Sequence, residues 1–267
     1  MHHDDDAGTS SYSSGLLFLL AGAITGWQSQ SMIRFRALPN DHPALDHSPL
    51  LRAVEKTLAY ARDNGPIGLT QTKAFKRSFV AWAARNFDWS GWNEEELLRH
   101  NKVINEADFP PLELAHFLLV QLKLGRHFKG EFRLTQRGKE LSASRGRLME
   151  TLIPFFVLQI DHASYGRIDD RPFGKWDVWL NVINIELATP KTEAHLFGVF
   201  YGHGPDWHNS GWRAVSAFSH CVLKPLEWSG LITIEDAPVG GRPTYVCAKT
   251  MLWGAALELD AGPVFAV

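Results

Sequence analysis

Cysteine is nearly missing: of 267 residues only Cys221 and Cys247 are cysteine. Two are too few for a disulfide framework or a four-cysteine zinc site, and a reducing cytoplasm is the compartment they imply. Long hydrophobic runs are also absent. The apolar stretch at 15–27 falls short of the roughly 20 residues a helix needs to cross a bilayer. The MHHDDD before it has the wrong charge for a secretory leader. No membrane association is expected. The sequence has no Gly-x-Ser-x-Gly elbow, no Gly-rich loop ending in Lys-Ser/Thr and no dinucleotide fingerprint after a strand. These gaps nominate no catalytic residue, no metal ligand and no cofactor, and the chain is read as a non-enzyme.

What is present is ordinary globular composition, 45% hydrophobic and 21% charged, with ten Trp and sixteen Phe to serve as core anchors. The net charge of -2 hides an asymmetry. Residues 48–147 carry 17 Lys and Arg against 11 Asp and Glu, which leaves 10 against 18 for the remainder. The surplus gathers at 121–147, where eight basic residues face only Glu131 and Glu140. A polyanion could use that footprint.

The organising stretch is 108–138, DFPPLELAHFLLVQLKLGRHFKGEFRLTQRG. Pro110 and Pro111 can open a helix, and 112–124 is apolar on nearly every side, which predicts a buried helix. Phe128, Phe132 and Leu134 then alternate with polar residues across a Lys129-Gly130 turn, as in a short hairpin. Thr135 is placed to cap the next helix. Helix, two-stranded wing and capped helix resemble the closing half of many winged-helix regulators.

Taken in order, 1–47 reads as a tail and linker, with Met32 an alternative start to Met1. Ser48 caps a helix from Pro49 that ends at Asn64-Gly65-Pro66. A short extended segment follows at 67–70, and Thr70 or Thr72 is expected to cap a helix over 73–86, bringing Lys73, Lys76 and Arg77 together on its first turns. Such a helix start can hold a phosphate. An insertion at 87–105 carries Trp89 and Trp92, with Asn93 capping a brief helix. Beyond it, 147–160 predicts a helix interrupted at Pro154, 176–187 a helix burying Trp176, Trp179, Leu180 and Ile183, and 193–201 a helix capped by Thr192. A helix over 212–228, strands at 231–235 and 244–247 joined through 238–241, and a helix capped by Thr250 repeat the grammar of 120–141. No residue-level repeat is visible, so order alone carries the repeat. The expected fold is mainly α with short β-hairpins, as tandem winged-helix-like units: a basic one over 48–147 and an acidic one over 148–267.

The helix at 112–124 offers little that could read base edges. Contacts to a nucleic-acid backbone are instead expected from Lys73, Lys76, Arg77, Arg126, Lys129 and Arg133. His203, Asp206 and His208, near Asp161-His162 and His220-Cys221, form the one loop that could suggest a metal-dependent hydrolase, but their spacing matches no helical zinc motif.

The segments PLLRAVEKTLAYA, GLTQTKAFKRSFV, NEADFPPLELAHFLLVQLKLGR and FRLTQRGKEL, spanning 48–141, resemble uncharacterised bacterial proteins of the plasmid Ri open-reading-frame-three type. Its marks are Leu69-Thr70, Glu106-x-Asp108-Phe109-Pro110 and Leu134-Thr135-x-x-Gly138. The resemblance implies a bacterial source and carries no site residue across. The sequence reading is therefore an auxiliary nucleic-acid-binding or regulatory protein acting on double-stranded DNA. The rival is an interaction scaffold for a second copy or another protein, anchored by Trp89, Trp92, Trp207 and Trp212.

Overall fold

Ser48 accepts the Leu51 amide at 3.1 Å, and Pro49 fixes the first helical position. This start gives α1 (Pro49–Asp63), whose inner face is Leu50, Leu51, Val54 and Leu58. The computed structural model describes residues 33–164, 170–202, 211–237 and 244–259. Before α1 lie a short strand β1 (Arg34–Phe35) and a 3-10 turn at Pro43–His47. After it come β2 (Ile67–Gly68), α2 (Arg77–Asn86), α3 (Glu94–His100) and α4 (Pro110–Gln121). The hairpin β3 (Gly125–Phe128) and β4 (Glu131–Leu134) leads into α5 (Gln136–Leu141).

The expected hairpin forms, except that Phe128, read on one face with Phe132 and Leu134, lies on the opposite, exposed face. Lys129 and Gly130 take φ of 51° and 75° at its turn, the left-handed pair that a two-residue connection needs. β2 then adds antiparallel to β4, so the sheet order is β2-β4-β3. Thr135 caps α5 by accepting the Gly138 amide at 3.0 Å, and Asn93 closes a reciprocal cap with Glu96 at α3.

The later half follows the same order. α6 (Arg145–Pro154) passes into a π-helical turn at Phe155–Gln159, and α7 (Trp176–Glu186) buries the four residues expected of it. β5 (Lys191–Thr192), α8 (Glu193–Tyr201), α9 (Gly211–Phe218), α10 (Lys224–Trp228), β6 (Ile232–Asp236), β7 (Tyr245–Lys249), α11 (Met251–Ala256) and β8 (Leu257–Glu258) complete the described chain. The second sheet is β5-β7-β6, again the leading strand against the second strand of the hairpin. Thr250 repeats the contacts Thr135 makes to the residues just before its hairpin: each threonine amide donates to a leucine carbonyl, of Leu231 and Leu124, at 3.0 Å. Each hydroxyl donates at 2.6 Å to the carbonyl one residue earlier, of Gly230 and Lys123. Mainly α with short antiparallel hairpins is thus the observed class.

One helix start needs correcting. The helix expected from residue 73 begins four residues later. Leu69 bridges back to Phe75, and the Ala74 amide donates to the Thr70 hydroxyl at 3.2 Å, so 70–76 form a tight reversal with Lys73 at φ 67°. The helix expected over 212–228 is present without a break, with a π-helical turn at Ser219–Leu223, between α9 and α10, that was not expected. The turn at 238–241, Trp207 and the loop holding His203, Asp206 and His208 lie outside the described residues, as do 1–32.

One continuous apolar core runs through both sheets' surroundings. Trp89, expected in an exposed loop, is 5% exposed and meets Trp228 edge-on at 5.3 Å between ring centroids. It joins the two halves instead of anchoring a partner. β1 pairs with β8, Phe35 opposite Leu257. The division expected after residue 147 falls inside α6. Among the described residues no helix is long and apolar enough to cross a membrane.

Candidate nucleic-acid interface

Strand periodicity decides which cations meet. On β3 and β4, Gly125, His127 and Phe132 point toward the helices, with Ile67 of β2 in the same row. Arg126 lies opposite Arg133, and Phe128 opposite Glu131, on the outer face. Phe128 is 42% exposed, and the Arg126 guanidinium, the Lys129 ammonium and the Arg133 guanidinium lie 5.6, 5.4 and 5.5 Å from its ring centroid. All three are within cation–π range. Gly68 opposes Glu131 in register, and its missing Cβ leaves room for the Lys76 side chain, which lies 2.9 Å from where that atom would be. Lys76 therefore joins the same outer face. Glu131 accepts from Arg133 at 2.7 Å and offsets part of the charge.

The remaining two sequence-chosen residues lie elsewhere. Arg77 starts α2 and donates from Nε to Asn105 Oδ1 at 2.9 Å. With Lys76, Thr70, Thr72, Ser78 and Asn105 it lines an open cleft of about 610 Å3. No side chain caps this helix start. Lys73, held in the reversal, faces the other side of the hairpin, close enough to His127 to oppose its protonation.

Beneath the cleft lies a polar chain. Glu106 is 2% exposed; one of its carboxylate oxygens accepts the Phe75 amide. The other is 2.6 Å from His116 Nδ1. His116, 1% exposed and stacked on Phe75 at 3.9 Å, places Nε2 2.8 Å from His127 Nε2. Burial first, then His116 and Lys73, push the His127 imidazolium down to about 4, so its ring is neutral at pH 7.

The second sheet lacks this chemistry among the described residues. Its hairpin carries Glu235, Asp236 and the 44% exposed Tyr245. Lys249 turns inward, donating to the Asn184 carbonyl at 2.8 Å. Where the first half has Arg77 at a helix start, the second has Glu193, its carboxyl pushed up by burial. No group of three or more His, Cys, Asp or Glu among the described residues could hold a metal ion.

Residues 46–147 match the family model described as the Y4jL N-terminal domain, and residues 166–250 match the y4jL C-terminal domain. These matches support an uncharacterised bacterial family of y4jL type. The uncharacterized protein y4jL of Sinorhizobium fredii is 36% identical over 145 residues, covering 53% of this chain. The match spans 65% of that relative's length, just under two thirds. No solved structure matches. All six sequence-chosen cations, and the Glu106–His116–His127 chain, lie in the region matching the y4jL N-terminal model.

The sequence reading missed Phe128 as the hub of the cations, and it missed the buried chain. A signal for the second was present. His116 is the lone imidazole in a mostly apolar helix, where an unpaired polar ring is costly, so a buried partner had to exist. Glu106, within the quoted Glu106-x-Asp108-Phe109-Pro110 run, was ten residues away and pointed to by nothing local.

Proposed function

We propose that the chain is a non-enzymatic protein of two winged-helix-like units in tandem, and that the first binds the phosphate backbone of double-stranded DNA through its hairpin. The observation that carries this reading is the gathering of Lys76, Arg126, Lys129 and Arg133 on one sheet face around an exposed Phe128. α4, in the position of a reading helix, is buried from Pro111 through Leu119, which leaves no face to enter a major groove. Recognition therefore falls on the wing and on the α2 start, and is blind to sequence. Backbone contacts release counterions, so binding weakens with salt by a slope of about 0.9 per phosphate engaged. In a salt series by gel shift, the wild type retards unrelated duplexes alike. Replacing Arg126 and Lys129 by Ala lowers the slope by roughly one for each phosphate no longer engaged. No retardation of any duplex at about 50 mM salt removes the proposal.

A second reading, association with another protein or a second copy, draws on Val178 and Ile185. They stand two turns apart on α7 and are 49% and 57% exposed. Light scattering that gives a salt-insensitive dimer, with no effect of DNA, would favour it.

A further inference from the structure

His127 sits on the edge strand β3 with its ring half-buried, between the enclosed His116 and the cationic Lys73. The hydrogens along the chain are set from its buried end. Phe75 donates to one Glu106 oxygen, so the other accepts from His116 Nδ1–H. With His116 neutral its Nε2 is an acceptor, and His127 donates to it from its own Nε2. The place left for another proton is His127 Nδ1. A proton there creates an imidazolium backed, through His116, by an enclosed carboxylate.

We propose that His127 is a phosphate-contacting residue at the hairpin edge, and that it takes up one proton when a phosphodiester docks beside Lys73. The inference deepens the backbone-binding reading and rests on it. The groups around the ring are His116 from α4, Glu106 from the turn before α4 and Lys73 from the reversal before α2. Glu131 and Arg133 flank its register partner Phe132 on β4, and Arg126 precedes it on its own strand. Of these, burial, then His116 and Lys73, oppose the imidazolium in the free protein. A docked phosphate offsets Lys73 and adds a negative charge near the ring, and both changes favour the protonated form. The sign follows: the bound protein holds the proton more tightly than the free one, so affinity is greatest at low pH and falls as pH rises through the bound-state value. If phosphate raises His127 from about 4 to about 6, affinity is roughly tenfold higher at pH 5 than at pH 7.

The test is fluorescence anisotropy of a labelled duplex of about 20 base pairs, at fixed ionic strength between about pH 5 and pH 8. Wild type and His127→Gln are compared, and the imidazole nitrogens of wild type are followed by NMR with and without duplex. The expected result is a roughly tenfold gain in affinity toward pH 5 for wild type, a flat profile for His127→Gln, and a His127 titration that moves up on binding. Equal pH profiles in the two proteins, or an imidazole titration unmoved by DNA, overturns the proton uptake while leaving backbone binding in place. Failure of both proteins to bind at any pH removes the backbone reading, and this inference with it. If His127→Gln melts too low to assay, the wild-type NMR titration decides alone.

Discussion

Glu106 is the place to test whether the buried chain is built as described. Its carboxylate serves two donors, the Phe75 amide and His116 Nδ1–H, and neither end of the His116 pair is more than 1% exposed at the side chain. Glu106→Ala removes both acceptors where water has little access. An unsatisfied buried donor costs about 1–3 kcal/mol, so the two together cost about 2–6 kcal/mol, or on the order of 10 °C in melting temperature for a chain of this size. Glu106→Gln is different in kind. Its amide oxygen accepts from Phe75 and its NH2 donates to His116 Nδ1, provided His116 moves its hydrogen to Nε2 and His127 moves its own to Nδ1. The expected loss is then only about 1–2 kcal/mol. Urea unfolding followed by tryptophan fluorescence measures both, with an unchanged m-value as the check that the unfolded state is the same. Equal losses in the two variants, or a loss below about 1 kcal/mol for Glu106→Ala, would refute the assigned hydrogen-bond pattern.

Two further outcomes follow from the packing. Gly138 sits under the Leu124 carbonyl, with the oxygen 1.9 Å from where a Cβ would be. Gly138→Ala must therefore push α5 off the hairpin and lose more than about 2 kcal/mol in thermal unfolding; a neutral result would mean that α5 does not approach the hairpin this closely. Burial, reinforced by nearby carboxylates, pushes the thiols of Cys221 and Cys247 up to about 12. Native protein at pH 8 should therefore resist a disulfide reagent over minutes and react fully only when denaturant is added, and rapid labelling of either cysteine without denaturant would contradict the burial.

Much of the local structure was legible because it depends on neighbours in sequence. Ser48, Asn93, Thr135, Thr192 and Thr250 all cap where they were expected to, since a cap needs only a hydroxyl or amide and the next turn. The start of α2 was misplaced because a short reversal won over a helix turn. Thr70 had a competing use in the reversal that returns the chain to Phe75. At the site, alternation alone could set Arg126, Phe128 and Arg133 on one hairpin face. Bringing Lys76 over Gly68 required β2 to pair with β4, with Gly68 opposite Glu131, and no local pattern announces a pairing between strands so far apart in the chain. That Thr135 and Thr250 are equivalent caps was legible in the order of elements, but their shared carbonyl contacts were not, because the side chains around the two threonines differ.

The edge-on tryptophans at the seam carry a consequence for anyone who handles this protein in pieces. Trp89 belongs to the stretch matching the first family model and Trp228 to the stretch matching the second, so a cut between those stretches strips one indole from the other and opens a shared interior to water. Fragments made that way would be expected to clump, and the intact chain to melt as one body. Occupancy of the basic hairpin would then register in the unfolding of a sheet that never touches the ligand.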